Sequence, residues 1–186
     1  AAPQDDRVAL ARGLRLALSA TLAAFLLAPA PLGARGQNKV TYDKFDWKIY
    51  ASTHFRIYHY GRGEAALPKV ASMAESAYDD LSRRLNYQVP KPIPLLFYVT
   101  HSEFEQNNII LNFIPEGVGA FAEPARNRMV LPIDLPDEEL EYLIAHELTH
   151  IFQYEILYGG KMGRGVGGNA PQWFMEGMAS YMAKDE

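Results

Sequence analysis

Two histidines four positions apart, His146 and His150, lie inside a stretch whose other recurring residues are apolar: Leu140, Leu143, Ile144, Leu148, Ile151 and Phe152. That spacing is helical, because residues at i and i+4 share one face about a turn apart. The stretch opens with Pro136, Asp137, Glu138 and Glu139, a proline followed by acids that suit the positive end of a helix dipole. A helix is expected over residues 136–157. Its apolar residues demand a core to pack against, and the two imidazoles then open onto a cleft lined by that core. With Glu147 between them, His146-Glu147-Leu148-Thr149-His150 fits H-E-x-x-H, a pattern that chance produces in roughly one chain in a few hundred of this length.

Two imidazoles on one helical face can reach a single ion of tetrahedral preference, and Glu147 then projects beside the ion as a general base for its bound water. The chain has no cysteine, so a metal can be held only by His, Asp or Glu. A catalytic zinc site takes a third protein ligand and keeps one position open. Glu176 is the candidate. It lies 26 positions after His150, in Trp173-Phe174-Met175-Glu176-Gly177-Met178-Ala179-Ser180-Tyr181, and a carboxylate buried among such bulky neighbours needs a compensating cation. Ser180, one turn beyond Glu176, is a candidate to take up a ligand histidine's free N–H, with Tyr181 beside it as a second candidate. His54, His59 and His101 stand singly and read as structural.

The rest of the chain supplies the core. Residues 53–60 and the continuous apolar run 95–100 read as strands. Residues 64–85 carry Val70, Met73, Ala77 and Leu81 at helical spacing. A short helix is expected from about residue 102, and two short strands over 120–123 and 128–132. Six glycines between residues 159 and 168 form a loop, after which Asn169 and Pro171 start a last helix from residue 172 to about 183. The order predicts an α+β fold, a mixed sheet of about four to five strands packed on the H-E-x-x-H helix and the helix after it.

Arg7, Arg12 and Arg15 precede an uncharged, Leu- and Ala-rich stretch over residues 16–34, the layout of an export signal. Ala34 and Gly36 suit a cleavage site, which divides the chain into a signal over 1–36 and a domain over 37–186. The apolar part is shorter than the ~20 residues that span a bilayer and ends in Pro29 and Pro31, so no membrane span is expected after cleavage. Removing Arg7, Arg12, Arg15 and Arg35 with Asp5 and Asp6 leaves 14 basic against 20 acidic residues. No dense basic patch marks a nucleic-acid partner. The expected location is periplasmic, cell-envelope or extracellular. A chain that starts without Met and stops just after the second motif reads as a fragment of something longer.

HELTH followed by WFMEGMASY resembles the gluzincin branch of the zincin metallopeptidases, the thermolysin-like clan. The resemblance covers the two motif helices, about a fifth of the chain. It implies a zincin-like fold, one zinc ion, Glu176 as third ligand, and peptide-bond hydrolysis in which Glu147 carries the water proton to the leaving amine. The metzincin pattern H-E-x-x-H-x-x-G-x-x-H does not fit, because those later positions hold Gln153 and Ile156. In the resembling fold a peptide adds as a strand at the sheet edge beside the metal helix. The candidate edge is either 119–123, with Gly119, Ala120 and Phe121, or 128–131. The chain also resembles the peptidase-like domain that begins some exported bacterial proteins and continues into a TolB-like β-propeller, which implies such a propeller in the full-length protein. Two other readings share the same residues: a zinc hydrolase of a non-peptide substrate, and a non-catalytic binding module of an envelope protein that keeps the zincin scaffold.

Overall fold

The computed structural model describes residues 43–110, 117–159 and 170–184. The expected export signal and loop residues 160–168 lie outside them. Alternating burial builds the sheet: along β2 (Phe55–His59), Phe55, Ile57 and His59 are buried while Arg56 is exposed. Beside it runs β3 (Ile93–Tyr98), parallel to β2 with Ile57 opposite Leu95. The other side of β3 pairs with β5 (Arg128–Pro132), again parallel, with Leu95 opposite Met129. Two antiparallel strands close the edges, β1 (Lys48–Ala51) on β2 and β4 (Phe121–Glu123) on β5. The result is a five-stranded mixed sheet in the order β1-β2-β3-β5-β4. Of the two candidate edge segments, 119–123 therefore contains an edge strand, whereas 128–131 is the interior neighbour of β3 and has both sides paired.

Among the described residues four helices complete the α+β fold: α1 (Leu67–Leu85), α2 (His101–Glu105), α3 (Asp137–Tyr158) and α4 (Gln172–Met182). One sheet face packs Phe55, Ile57, Leu95, Phe97, Met129 and Leu131 against α1 and α3. The other gathers Tyr60, Tyr98, Phe104 and Val130 with Phe45 and Trp47. Val130 falls on the opposite side from Met129 and Leu131, as a period of two requires. Among the described residues no helix is long and apolar enough to cross a membrane.

Several boundaries differ from expectation for local reasons. The first helix begins at Leu67, because residues Gly61–Ala66 form a 3-10 turn that leads into it. Gly63 in that turn is a close approach: a Cβ there would stand 2.5 Å from the Phe97 ring. The buried side of α1 is also rotated, carried by Val70, Ala71, Ala74, Tyr78 and Leu81, while Met73 and Ala77 are half-buried. β3 starts at Ile93 and ends at Tyr98, because Thr100 leaves the sheet to cap α2, its hydroxyl accepting from Glu103 N–H. At the end of α3, Gly159 adopts φ +57° and donates its N–H to the Glu155 carbonyl, a left-handed cap that glycine takes without Cβ strain.

Candidate metal centre

Burial of α3 aims its polar face. Leu140, Ile144, Leu148, Ile151 and Phe152 are fully buried, which fixes the helix's rotation and brings His146 and His150 to one side of the stripe. Their ring centroids are 5.0 Å apart and their planes meet at 82°. α4 is held more lightly, by Met175, Ala179 and Met182 at i, i+4 and i+7. Glu176 sits next to that stripe and reaches the histidines. Its Oε2 lies 3.4 Å from His146 Nε2 and 3.5 Å from His150 Nε2, and the ligand atoms of the three residues all lie within 4.8 Å of one another. Donors placed ~2.0–2.1 Å from one ion at tetrahedral angles stand about 3.4 Å apart, which the two Glu176–histidine spacings match.

The acid on α3 differs from the acid on α4. Glu147 is buried, and its carboxyl pKa is pushed up to about 8, first by burial and then by the charge of Glu176, against a lowering by the Ala122 backbone N–H. His146 moves the other way: burial and the neighbouring His150 lower its pKa, opposed by Glu176. Edge strand β4 adjoins this region through one residue. Ala122 lies near enough to Glu147 for its backbone N–H to lower that carboxyl's pKa, and its carbonyl accepts from the Tyr154 hydroxyl at 3.4 Å. The β4–β5 turn is tied to α3 as well, Asn127 Nδ2 donating to Glu155 at 2.8 Å.

Not every sequence expectation survives in its original form. Glu176 is not buried among apolar neighbours: its side chain is 51% exposed, and Trp173, Phe174 and Tyr181 are exposed too. Its case as a ligand rests on convergence with the histidines instead. Ser180 is half-buried and makes no hydrogen bond to a described residue. Tyr181 is 61% exposed and its ring lies 5.8 Å from the Arg84 guanidinium, so neither residue takes up an imidazole N–H. Gly119 and Ala120 lead into β4, which pairs only from Phe121. His54 binds Glu75 and stacks on Tyr78, a structural part as expected.

Two residues went unread in the sequence. Gln153, 2% exposed, meets His150 Nδ1 through its Oε1 at 2.8 Å and donates from Nε2 to the Met175 carbonyl at 2.9 Å. Tyr154 stacks its ring on His150, with centroids 6.2 Å apart, and burial together with the charges of Glu147 and Glu176 pushes its hydroxyl pKa up to about 12. The available signal was position: at three and four residues beyond His150, both lie on the helix face next to it. No family model, curated protein or solved structure matches this chain.

Proposed function

We propose that this chain is an exported, zinc-dependent metallopeptidase domain of gluzincin type. The observation that carries the proposal is the meeting of His146 Nε2, His150 Nε2 and Glu176 Oε2 from two helices at 3.4 to 3.5 Å, with a second, buried carboxylate one residue from the first ligand. When bound, the ion supplies Lewis-acid activation of water and of a scissile carbonyl.

Every other part belongs to the chain. His146 and His150 would bind through Nε2, the atom each turns toward Glu176. Glu147 is a buried carboxyl next to the first ligand histidine, placed to accept and return a proton. It takes the proton of the attacking water and delivers it to the leaving amine. Ala122 lies near that carboxyl on edge strand β4, and a peptide adding along this edge lies against Glu147. Among the three readings of the motif, this geometry favours hydrolysis over a retained binding scaffold, since a scaffold needs no base held beside its metal. The arginine-led apolar leader in the sequence supports export.

The test is Glu147→Gln. The variant keeps stoichiometric zinc, while kcat/KM on a casein or peptide-library substrate falls by about 10²–10⁴-fold. Undiminished hydrolysis removes Glu147 from its role, and a wild-type chain that takes up no zinc ends the metallopeptidase reading.

A further inference from the structure

The Gln153 amide is a buried polar group that joins the two helices of the centre. It accepts or donates at His150 Nδ1, 2.8 Å away, and donates to the Met175 carbonyl, 2.9 Å away. The second contact decides the first. A backbone carbonyl is only an acceptor, so the amide must turn its NH2 to Met175; the reverse orientation would set two oxygens against each other. With the NH2 committed, the amide oxygen faces His150, and Nδ1 must carry the proton. Nε2, the atom 3.5 Å from Glu176 Oε2, is then left bare. Nothing comparable holds the other histidine: the buried His146 Nδ1 has no hydrogen-bond partner among the described residues.

Met175 directly precedes Glu176, so the same amide also sets where α4 stands against α3. We propose that Gln153 is the positioning residue of the metal centre: it presets the His150 tautomer for metal binding and holds the backbone at Met175 so that Glu176 meets both histidines. This rests on the metal-centre reading above. A carboxylate in place of Gln153 could orient His150 but could not donate to Met175 when ionised. An apolar residue could do neither, and would leave a buried ring N–H without a partner.

Two measurements on the whole chain test it. Long-range proton–nitrogen NMR of the metal-free protein reads the His150 tautomer, and competition with a chromophoric chelator reads zinc affinity. The wild type shows protonated Nδ1 and bare Nε2. Gln153→Leu loses that preference and binds zinc about 10–100-fold more weakly, the usual cost of removing a ligand's hydrogen-bond partner. Gln153→Glu keeps the tautomer and recovers part of the affinity. A wild-type His150 protonated at Nε2 overturns the proposal, and so does a Gln153→Leu chain that binds zinc as tightly as wild type, or a Gln153→Glu chain no better than Gln153→Leu. If Gln153→Leu fails to fold, the wild-type tautomer and the Gln153→Glu variant still decide. Failure of the wild type itself to bind zinc overturns the metal-centre reading, whereas unchanged affinity in Gln153→Leu overturns only this one.

Discussion

The two helices that bring the ligands together are built differently. α3 runs for 22 residues with its ligand face beside a fully buried stripe, and its His150 is buried. α4 has 11 residues, buries only Met175, Ala179 and Met182, and carries exposed Trp173, Phe174 and Tyr181 beside a half-exposed Glu176. Half of the centre is thus a by-product of the core, prepaid in hydrophobic burial, and half is delivered by a short element held by Met175, Ala179 and Met182, by half-buried Met178, and by hydrogen bonds from Gln153 and Arg84. Preorganisation is concentrated on the side that holds the base.

The largest expected effect tests the α3 side. Leu148 lies between the two histidines and is fully buried, so Leu148→Ala costs about 2–5 kcal/mol of stability, measured by chemical denaturation without metal. A loss below 1 kcal/mol would mean that α3 is no better anchored than α4.

Burial is also read out by pH. In the metal-free protein Glu147 has a folded pKa of about 8 against an ordinary 4.5. Its folded pKa is raised, so its contribution is fully present below about pH 4.5 and is lost as pH rises through 8. Metal-free Glu147→Gln, which cannot ionise, therefore becomes more stable than wild type by a few kcal/mol, on the order of the linkage for such a shift, at pH 8 and not at pH 4. Parallel stability profiles of the two proteins would show that Glu147 is not held in a desolvated place.

The α4 side is tested by zinc. At a free concentration a hundredfold above Kd, the ion stabilises the wild type by about 2.7 kcal/mol. Glu176→Ala removes most of that gain while metal-free stability stays within about 0.5 kcal/mol of wild type, as for an exposed position. Full retention of the zinc-induced melting shift in Glu176→Ala would sever α4 from the centre.

What could be read from the sequence follows the same division. Residues 128–132, the H-E-x-x-H helix and the start of α4 at Gln172 lie where periodicity and turn chemistry put them, because a buried face writes its period into the sequence. β1 was invisible because all four of its residues are exposed, which leaves no alternation to read. The buried side of α1 was misplaced because alanines and Tyr78 do the packing there, and alanine carries little pattern. Glu176 was found for a reason the structure does not share, since its apolar neighbours face solvent rather than enclosing it. Gln153 looked like any polar residue on a helix, and only the approach of the Met175 carbonyl gives its amide a task.

The half-exposed carboxylate of Glu176 bears on how fast the centre loads. In the proposed centre Glu176 is the most exposed of the three ligands, so an ion would enter and leave from the α4 side, releasing that oxygen before the two histidines. Under that proposal, loading would call for movement of a side chain and a short helix rather than for unfolding, and the free zinc of the compartment would set how many molecules are loaded.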